Sequence, residues 1–165
     1  MILKTRHFGE VIIDGSEVIK FEEGLPGFEH LKDFALLGDM SDPKSGESAI
    51  NAFKQNDTAM FLWLQSLEES DVAFVLINTY MFLPDYSPKF EEGSLECLGQ
   101  YDSGDLIVRN IAVIPEKIEN ITANLCAPIV INFKTSRGKQ ALTTNKEYHV
   151  RHLIIQEAQK TRKAI

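Results

Sequence analysis

Residues 21–28 read Phe-Glu-Glu-Gly-Leu-Pro-Gly-Phe, and residues 61–66 read Phe-Leu-Trp-Leu-Gln-Ser. In the first stretch, Pro26 and Gly27 suit the central positions of a type II turn, because proline fixes φ at about −65° and glycine accepts positive φ. In the second stretch, a strand-like apolar run ends in a polar pair. Together the stretches predict β-strands joined by tight turns. We expect these residues to belong to the scaffold: Phe21, Gly24, Pro26, Gly27 and Phe28.

Three apolar runs form the predicted core, at residues 60–64, 72–77 and 129–131. Each run is bounded by turn residues and has the length of a strand rather than a helix. The runs are nearly continuous instead of alternating, so both faces of these strands need cover. A small closed barrel covers the inner face, and a helix, a loop or a partner must cover the outer face.

The remaining pattern indicates further short strands and a helical end. The predicted pieces are a hairpin over residues 5–13 centred on Gly9-Glu10, a strand at 34–37, an exposed loop at 38–48, a strand over 106–114, a turn at 137–139 followed by a strand at 140–143, and a last strand at 148–152. The fold class is therefore all-β and mainly antiparallel, a small closed or partly open β-barrel with short helical turns. We expect one barrel domain over residues 1–152 and a helical or frayed tail over 153–165.

Charge is unevenly distributed along the chain. The net charge is −7 at pH 7, yet residues 1–136 carry 10 Lys and Arg against 22 Asp and Glu, whereas residues 137–165 carry 7 against 2. An acidic body repels phosphates and attracts a basic partner, so we expect no direct binding of nucleic acid. No apolar run reaches the roughly 18 residues of a membrane span, and the first residues lack the apolar core of a signal peptide. The sequence thus predicts a cytoplasmic protein without a membrane span.

The sequence shows no convincing catalytic or metal-binding motif: a glycine-rich phosphate loop, a GxSxG elbow and an HExxH zinc motif are all absent. His149 and His152 have a helical spacing, but the surrounding alternation is typical of a strand, which would place them on opposite faces. Asp102 and Asp105 resemble paired carboxylates, yet their stretch has the composition of a surface turn. We predict a protein that is not an enzyme and holds no metal or cofactor.

Residues 84–92, Pro-Asp-Tyr-Ser-Pro-Lys-Phe-Glu-Glu, are the candidate binding segment. Two prolines stiffen it, and its aromatic side chains lie beside carboxylates, a combination that protein interfaces favour. The alternative, which the residues leave open, is an ordered loop whose tyrosine packs onto its own barrel. The candidate partner-binding residues are Asp85, Tyr86, Glu91 and Glu92.

The sequence resembles the flagellar assembly factor family of the FliW type over most of its length. Beyond the two opening stretches, the motifs that follow in the family's order are DVAFV at 71–75, FLPDY at 82–86, VIP at 113–115 and TANLCAPIVIN at 122–132. Three features depart from the family's pattern. The stretch between Leu37 and Met60 is longer than usual, Thr79 stands where a proline is common, and the tail continues beyond Leu153.

The resemblance implies a regulator that exchanges protein partners. Such proteins bind flagellin, the filament subunit, and a carbon-storage-regulator (CsrA-type) RNA-binding protein that represses translation of the flagellin message. Export of flagellin would free the assembly factor to sequester the regulator, and accumulated flagellin would reverse the switch. We therefore expect a cytoplasmic monomer that couples flagellin synthesis to filament assembly. Two alternatives to this function are a barrel that binds a small ligand and an enzyme that uses the Asp102–Asp105 turn.

Overall fold

A closed ring of strands makes up the body of the protein. The computed structural model describes residues 1–38 and 59–163. The strands in chain order are β1 Ile2–Thr5, β2 Gly9–Ile12, β3 Ile19–Lys20, β4 Asp33–Leu37, β5 Phe61–Ser66, β6 Ala73–Ile77, β7 Leu106–Val113, β8 Thr122–Ala123, β9 Ile129–Asn132, β10 Arg137–Gln140 and β11 His152–Leu153. One helix, α1, spans Ile154–Lys163. Short 3-10 turns lie at Gly15–Glu17, Thr79–Met81, Glu96–Leu98, Ser103–Asp105 and Ile118–Asn120.

The ring runs in the order β7-β6-β5-β4-β3-β10-β9, and the pairing of β9 with β7 closes it. Neighbours pair antiparallel except β3 and β10, which run parallel and meet where Lys20 lies opposite Arg137. Strands β8 and β11 extend from the end of β7 as a branch, while β1 and β2 form a separate hairpin. The predicted all-β, mainly antiparallel barrel with a C-terminal helix is confirmed.

Large apolar side chains fill the interior of the ring. Alternate residues of β4 and β5 point inward, among them Phe34, Leu36 and Leu64, and each is 0% exposed. Leu76 from β6 and Ile131 from β9 complete the same cluster. A barrel of this size has just enough interior for its own side chains. The filled interior therefore disfavours the alternative of a ligand held in the barrel.

Other parts of the chain cover the outer faces of the apolar strands. The β1–β2 hairpin covers the outside of β4, where Leu3 packs in one cluster with Leu37. The 3-10 turn after residue 95 covers β9, because Leu98 packs with Val130. The first residue of α1, Ile154, is buried in a third cluster beside the barrel. Much of the cover that the sequence assigned to a helix, a loop or a partner thus comes from this chain.

The first opening stretch forms the expected tight turn and packs onto the core. Gly27 has φ of 85°, and the N–H of Phe28 donates to the carbonyl of Leu25 at 2.7 Å, which closes the turn. The Phe21 ring lies 5.1 Å from that of Phe34 inside the barrel. The Phe28 ring packs edge-on against Phe74 on the strand that follows β5. The turn is therefore fastened to the core from both ends.

The polar pair that ends the second stretch shapes the link between β5 and β6. The hydroxyl of Ser66 accepts hydrogen bonds from the backbone N–H groups of Glu68 and Glu69, both at 3.1 Å. The buried amide of Gln65 donates to the carbonyls of Ser70 and Val72, each at 3.2 Å. The Ser66 hydroxyl thus satisfies two backbone N–H groups of the turn, while Gln65 adds a second donor to carbonyls that already accept from backbone N–H groups.

Four strand boundaries differ from the prediction. The first hairpin turns at residues 6–8, not at Gly9-Glu10, because Gly9 already pairs with Thr5. The stretch 137–139 is part of β10 and not a turn, and β10 ends at Gln140, so the strand predicted at 140–143 is wrong beyond its first residue. The last strand is limited to His152–Leu153. Of the expected loop at 38–48, all but Gly38 lies outside the described residues.

Candidate functional site

The candidate binding segment is held against residues 143–148 by hydrogen bonds. The backbone N–H of Ser87 donates to the hydroxyl of Tyr148 at 2.8 Å. The side chain of Asn145 accepts from the N–H of Lys89 at 2.7 Å and donates to the carbonyl of Ser87 at 3.2 Å. The N–H of Thr144 donates to the carbonyl of Lys89 at 2.7 Å. The segment is therefore ordered in the free protein, which lowers the entropic cost of binding a partner.

Tyr86 is the buried anchor of this segment. Its side chain is only 5% exposed, and its hydroxyl donates to the carbonyl of Leu125 at 2.8 Å. The same hydroxyl accepts from the side-chain amide of Asn110 at 3.1 Å. Burial raises the pKa of Tyr86 well above its ordinary value, so the phenol stays neutral. Tyr86 packs onto its own barrel, which leaves little of it for a partner to touch, and its role in binding stays a prediction.

The four candidate residues fall into two concavities. Asp85 and Tyr86 line a cleft of about 200 Å³, which we call the small cleft, together with Leu83, Pro84, Tyr148 and Glu157. Glu157 belongs to α1, so the small cleft lies where the binding segment meets the helix. The structure thus adds Tyr148 and Glu157 to the candidates. They lie some sixty and seventy residues further along the chain, and sequence order gave no sign of their position.

Glu91 and Glu92 line a larger surface groove of about 650 Å³, which we call the acidic groove. A third carboxylate, Glu96, joins them, and apolar contact surface comes from Phe90, Leu95 and Tyr101. Tyr101 is 42% exposed. Carboxylates beside exposed aromatic surface suit a basic, partly apolar segment of another protein. Among the residues that line this groove, sequence reasoning missed Leu95, Glu96 and Tyr101.

The two histidines lie side by side instead of on opposite faces, so that expectation was wrong. The rings of His149 and His152 are stacked, with centroids 5.4 Å apart. Strand β11 begins only at His152, and the turn that precedes it places the His149 ring on the same side as the His152 ring. His152 Nε2 hydrogen-bonds a carboxylate oxygen of Glu157 in α1. Within residues 1–38 and 59–163, the structure contains no group of three or more side chains arranged to hold a metal ion.

The Asp102–Asp105 stretch is a surface turn, as predicted. The backbone N–H of Asp102 donates to a carboxylate oxygen of Asp105 at 2.9 Å. The N–H of Asp105 in turn donates to the carbonyl of Asp102 at 2.9 Å. The Asp105 carboxylate thus stabilises the 3-10 turn at Ser103–Asp105.

Comparison with known proteins identifies the family. The sequence profile described as "FliW protein" matches residues 2–154. The chain belongs to the FliW family. It is 40% identical over 157 residues to the flagellar assembly factor FliW of Caldanaerobacter subterraneus subsp. tengcongensis, covering 95% of each chain. It is 38% identical over 160 residues to that of Alkaliphilus metalliredigens, covering 97% of this chain and 90% of the relative.

The fold agrees with this assignment to the FliW family. A crystal structure of the flagellar assembly factor FliW superposes with a TM-score of 0.75 and 30% sequence identity, covering 93% of this chain and 96% of the other. The relatives are named as assembly factors, which is a non-enzymatic role. Among the described residues, no helix is long and apolar enough to cross a membrane.

Proposed function

We propose that this FliW-family protein binds flagellin and, as its alternative partner, the carbon-storage-regulator (CsrA-type) RNA-binding protein. The observation that carries the proposal is the family match over residues 2–154. The acidic groove and the small cleft support it, because both present carboxylates to a basic partner. The protein acts in the cytoplasm as a monomer and performs no catalysis.

The proposed mechanism is competition between the two partners. When flagellin is exported, the free assembly factor binds the regulator and keeps it from the flagellin message. When flagellin accumulates, it occupies the assembly factor and releases the regulator. Each partner lowers the concentration of assembly factor available to the other, so the two binding equilibria are linked. The acidic surface also raises the electrostatic cost of RNA near the bound regulator.

The proposed contact residues for the regulator are Asp85, Glu91 and Glu92, with Tyr86 as the residue that fixes their segment. The three carboxylate side chains are exposed, whereas Tyr86 is buried. Exposed carboxylates at the rim of an interface act mainly on the rate of association and on its dependence on salt. We therefore expect the complex with the regulator to weaken as salt rises.

Size-exclusion chromatography of the full chain with the purified regulator tests the proposal. We expect a shared, earlier peak at low salt that persists at physiological ionic strength and separates into two peaks at higher salt. Two unshifted peaks at low salt would refute binding of the regulator. Flagellin added to the preformed complex should displace the regulator, and a stable assembly of all three proteins would refute competition.

A further inference from the structure

The small cleft has the size and chemistry of a socket for one cationic side chain. We infer that it receives a single arginine side chain presented by a partner protein, an assignment that rests on the proposed function for the identity of that partner. Nothing in the sequence pattern pointed to this cleft as a unit, because its residues come from the binding segment, from the stretch before β11 and from α1.

The volume of the small cleft limits what it can hold. Pockets for small molecules and cofactors usually enclose about 300–1,000 Å³. The small cleft measures about 200 Å³, below that range, so a single side chain fits it better than a cofactor or a peptide segment. A side chain can reach such a cleft from a partner surface without any rearrangement of the barrel.

The walls of the small cleft favour a flat cation. Tyr148 supplies a half-buried aromatic ring, and the buried Tyr86 ring packs against it edge-to-face with the two centroids 4.7 Å apart. Asp85 and Glu157 supply carboxylates, and Glu157 is 46% exposed. No basic residue of the described chain lines the cleft. A guanidinium can stack on an aromatic ring while its N–H groups donate to a carboxylate, and it is more weakly hydrated than an ammonium, so arginine is preferred over lysine.

The walls are also fixed before any partner arrives. The Tyr148 hydroxyl accepts from the N–H of Ser87, and the Tyr86 hydroxyl donates to the carbonyl of Leu125. The carboxylate of Glu157 is positioned by His152, whose side chain is 90% buried. Binding therefore orders only the incoming side chain, which raises the affinity per contact.

A titration of the ¹⁵N-labelled full chain with N-acetyl-arginine amide, followed by NMR, tests this inference. We expect saturable shifts confined to the amides of residues 83, 85, 86, 148 and 157, with a millimolar Kd. N-acetyl-citrulline amide has nearly the same shape without the charge and should give no saturable shift. N-acetyl-lysine amide should bind more weakly than the arginine compound.

Asp85→Asn is the decisive variant, because Asp85 is exposed and its loss leaves the barrel intact. It should weaken binding of the arginine compound about two- to fivefold, the effect of one exposed ion pair. Asp71→Asn removes the same charge from an exposed residue that does not line the cleft, and it should leave the Kd unchanged.

The outcomes separate this inference from the proposed function. Four results would each refute the arginine site. With the model compounds, these are scattered or unsaturable shifts with the arginine compound, equal shifts with the citrulline compound, and binding of the lysine compound as tight as that of the arginine compound. The fourth is an unchanged Kd in Asp85→Asn. The titration does not involve the regulator, so it still decides the matter if no regulator complex forms. If the complex with the regulator forms but the arginine compound causes no saturable shifts, the arginine site is refuted while the proposed function stands.

Discussion

Two glycines of the opening turn differ in the space around their α-carbons. Gly24 and Gly27 both have positive φ, at 66° and 85°. A Cβ at position 24 would lie 2.7 Å from the Cα and the carbonyl oxygen of Glu29, whereas nothing lies within 4 Å of one at position 27. Position 24 therefore excludes a side chain for reasons of space as well as of backbone conformation.

Alanine substitutions at these positions should reflect that difference. Gly27→Ala should lower the free energy of unfolding by about 1–2 kcal/mol, the cost of a left-handed conformation for a residue with a Cβ. Gly24→Ala should cost clearly more, since the backbone at Glu29 must also move. Urea denaturation of both variants measures the two values, and equal losses would contradict the argument.

The buried hydroxyl of Tyr86 gives a second prediction for a single residue. Tyr86→Phe removes the donor to the carbonyl of Leu125 and should lower the free energy of unfolding by about 1–3 kcal/mol. Tyr101→Phe changes an exposed ring in the acidic groove and should be nearly neutral. Thermal or chemical denaturation compares the pair. A Tyr86→Phe variant with full stability and lost regulator binding would show a direct contact instead of a supporting role.

At the scale of elements, one side chain holds much of the binding segment in place. Asn145 bridges the N–H of Lys89 and the carbonyl of Ser87. Asn145→Ala should speed hydrogen exchange at the Lys89 amide about three- to tenfold, since one hydrogen bond contributes about 1 kcal/mol. The barrel amides should keep their rates. Asn120→Ala, at an exposed site outside the binding segment, is the control, and equal acceleration at the Lys89 amide in both variants would contradict the bridge.

The carboxylates of the acidic groove allow a test by charge removal. Replacing Glu91 and Glu92 together by Gln should weaken the complex with the regulator roughly 2- to 30-fold at low salt, the combined effect of two exposed ion pairs. The double variant Glu116→Gln/Glu119→Gln changes two exposed carboxylates that do not line the groove and should bind normally. Calorimetric titration at two salt concentrations measures both. If the Glu91/Glu92 double variant bound the regulator as tightly as the control variant, the acidic groove would have no role in binding.

At the scale of the whole molecule, the ring of strands has one pairing with little hydrogen-bond support, between β3 and β10. Most neighbouring strands pair over two to five residues, but β3 and β10 meet at a single register pair. Besides that pair, the N–H of Lys20 donates to the carbonyl of Ser136 at 2.9 Å. We expect the Lys20 amide to exchange faster than the Leu64 amide between β5 and β6, because local opening follows the least supported pairing. Slower exchange at Lys20 would contradict this.

Sequence alone predicted most of the architecture and only part of the site. The apolar runs that form β5, β6 and β9 can be predicted from the sequence because they have strand length and are bounded by turn residues. The start of β10 cannot be predicted in this way, since Gly138 has the character of a turn residue. Glycine is needed at position 138 because a Cβ there would lie 2.4 Å from the Phe21 ring, a contact between distant parts of the chain. The same limit applies to the small cleft, whose tyrosines and carboxylates come together only through tertiary packing.

The parallel seam between β3 and β10 has a consequence for synthesis. Its two strands lie near opposite ends of the chain, so a nascent polypeptide on the ribosome cannot complete the ring until most of its residues have emerged. Until then, the edges of β3 and β9 are unpaired and available to other nascent chains. A message truncated before residue 137 should therefore yield an insoluble product, whereas loss of the last few residues of α1 should leave the ring able to close.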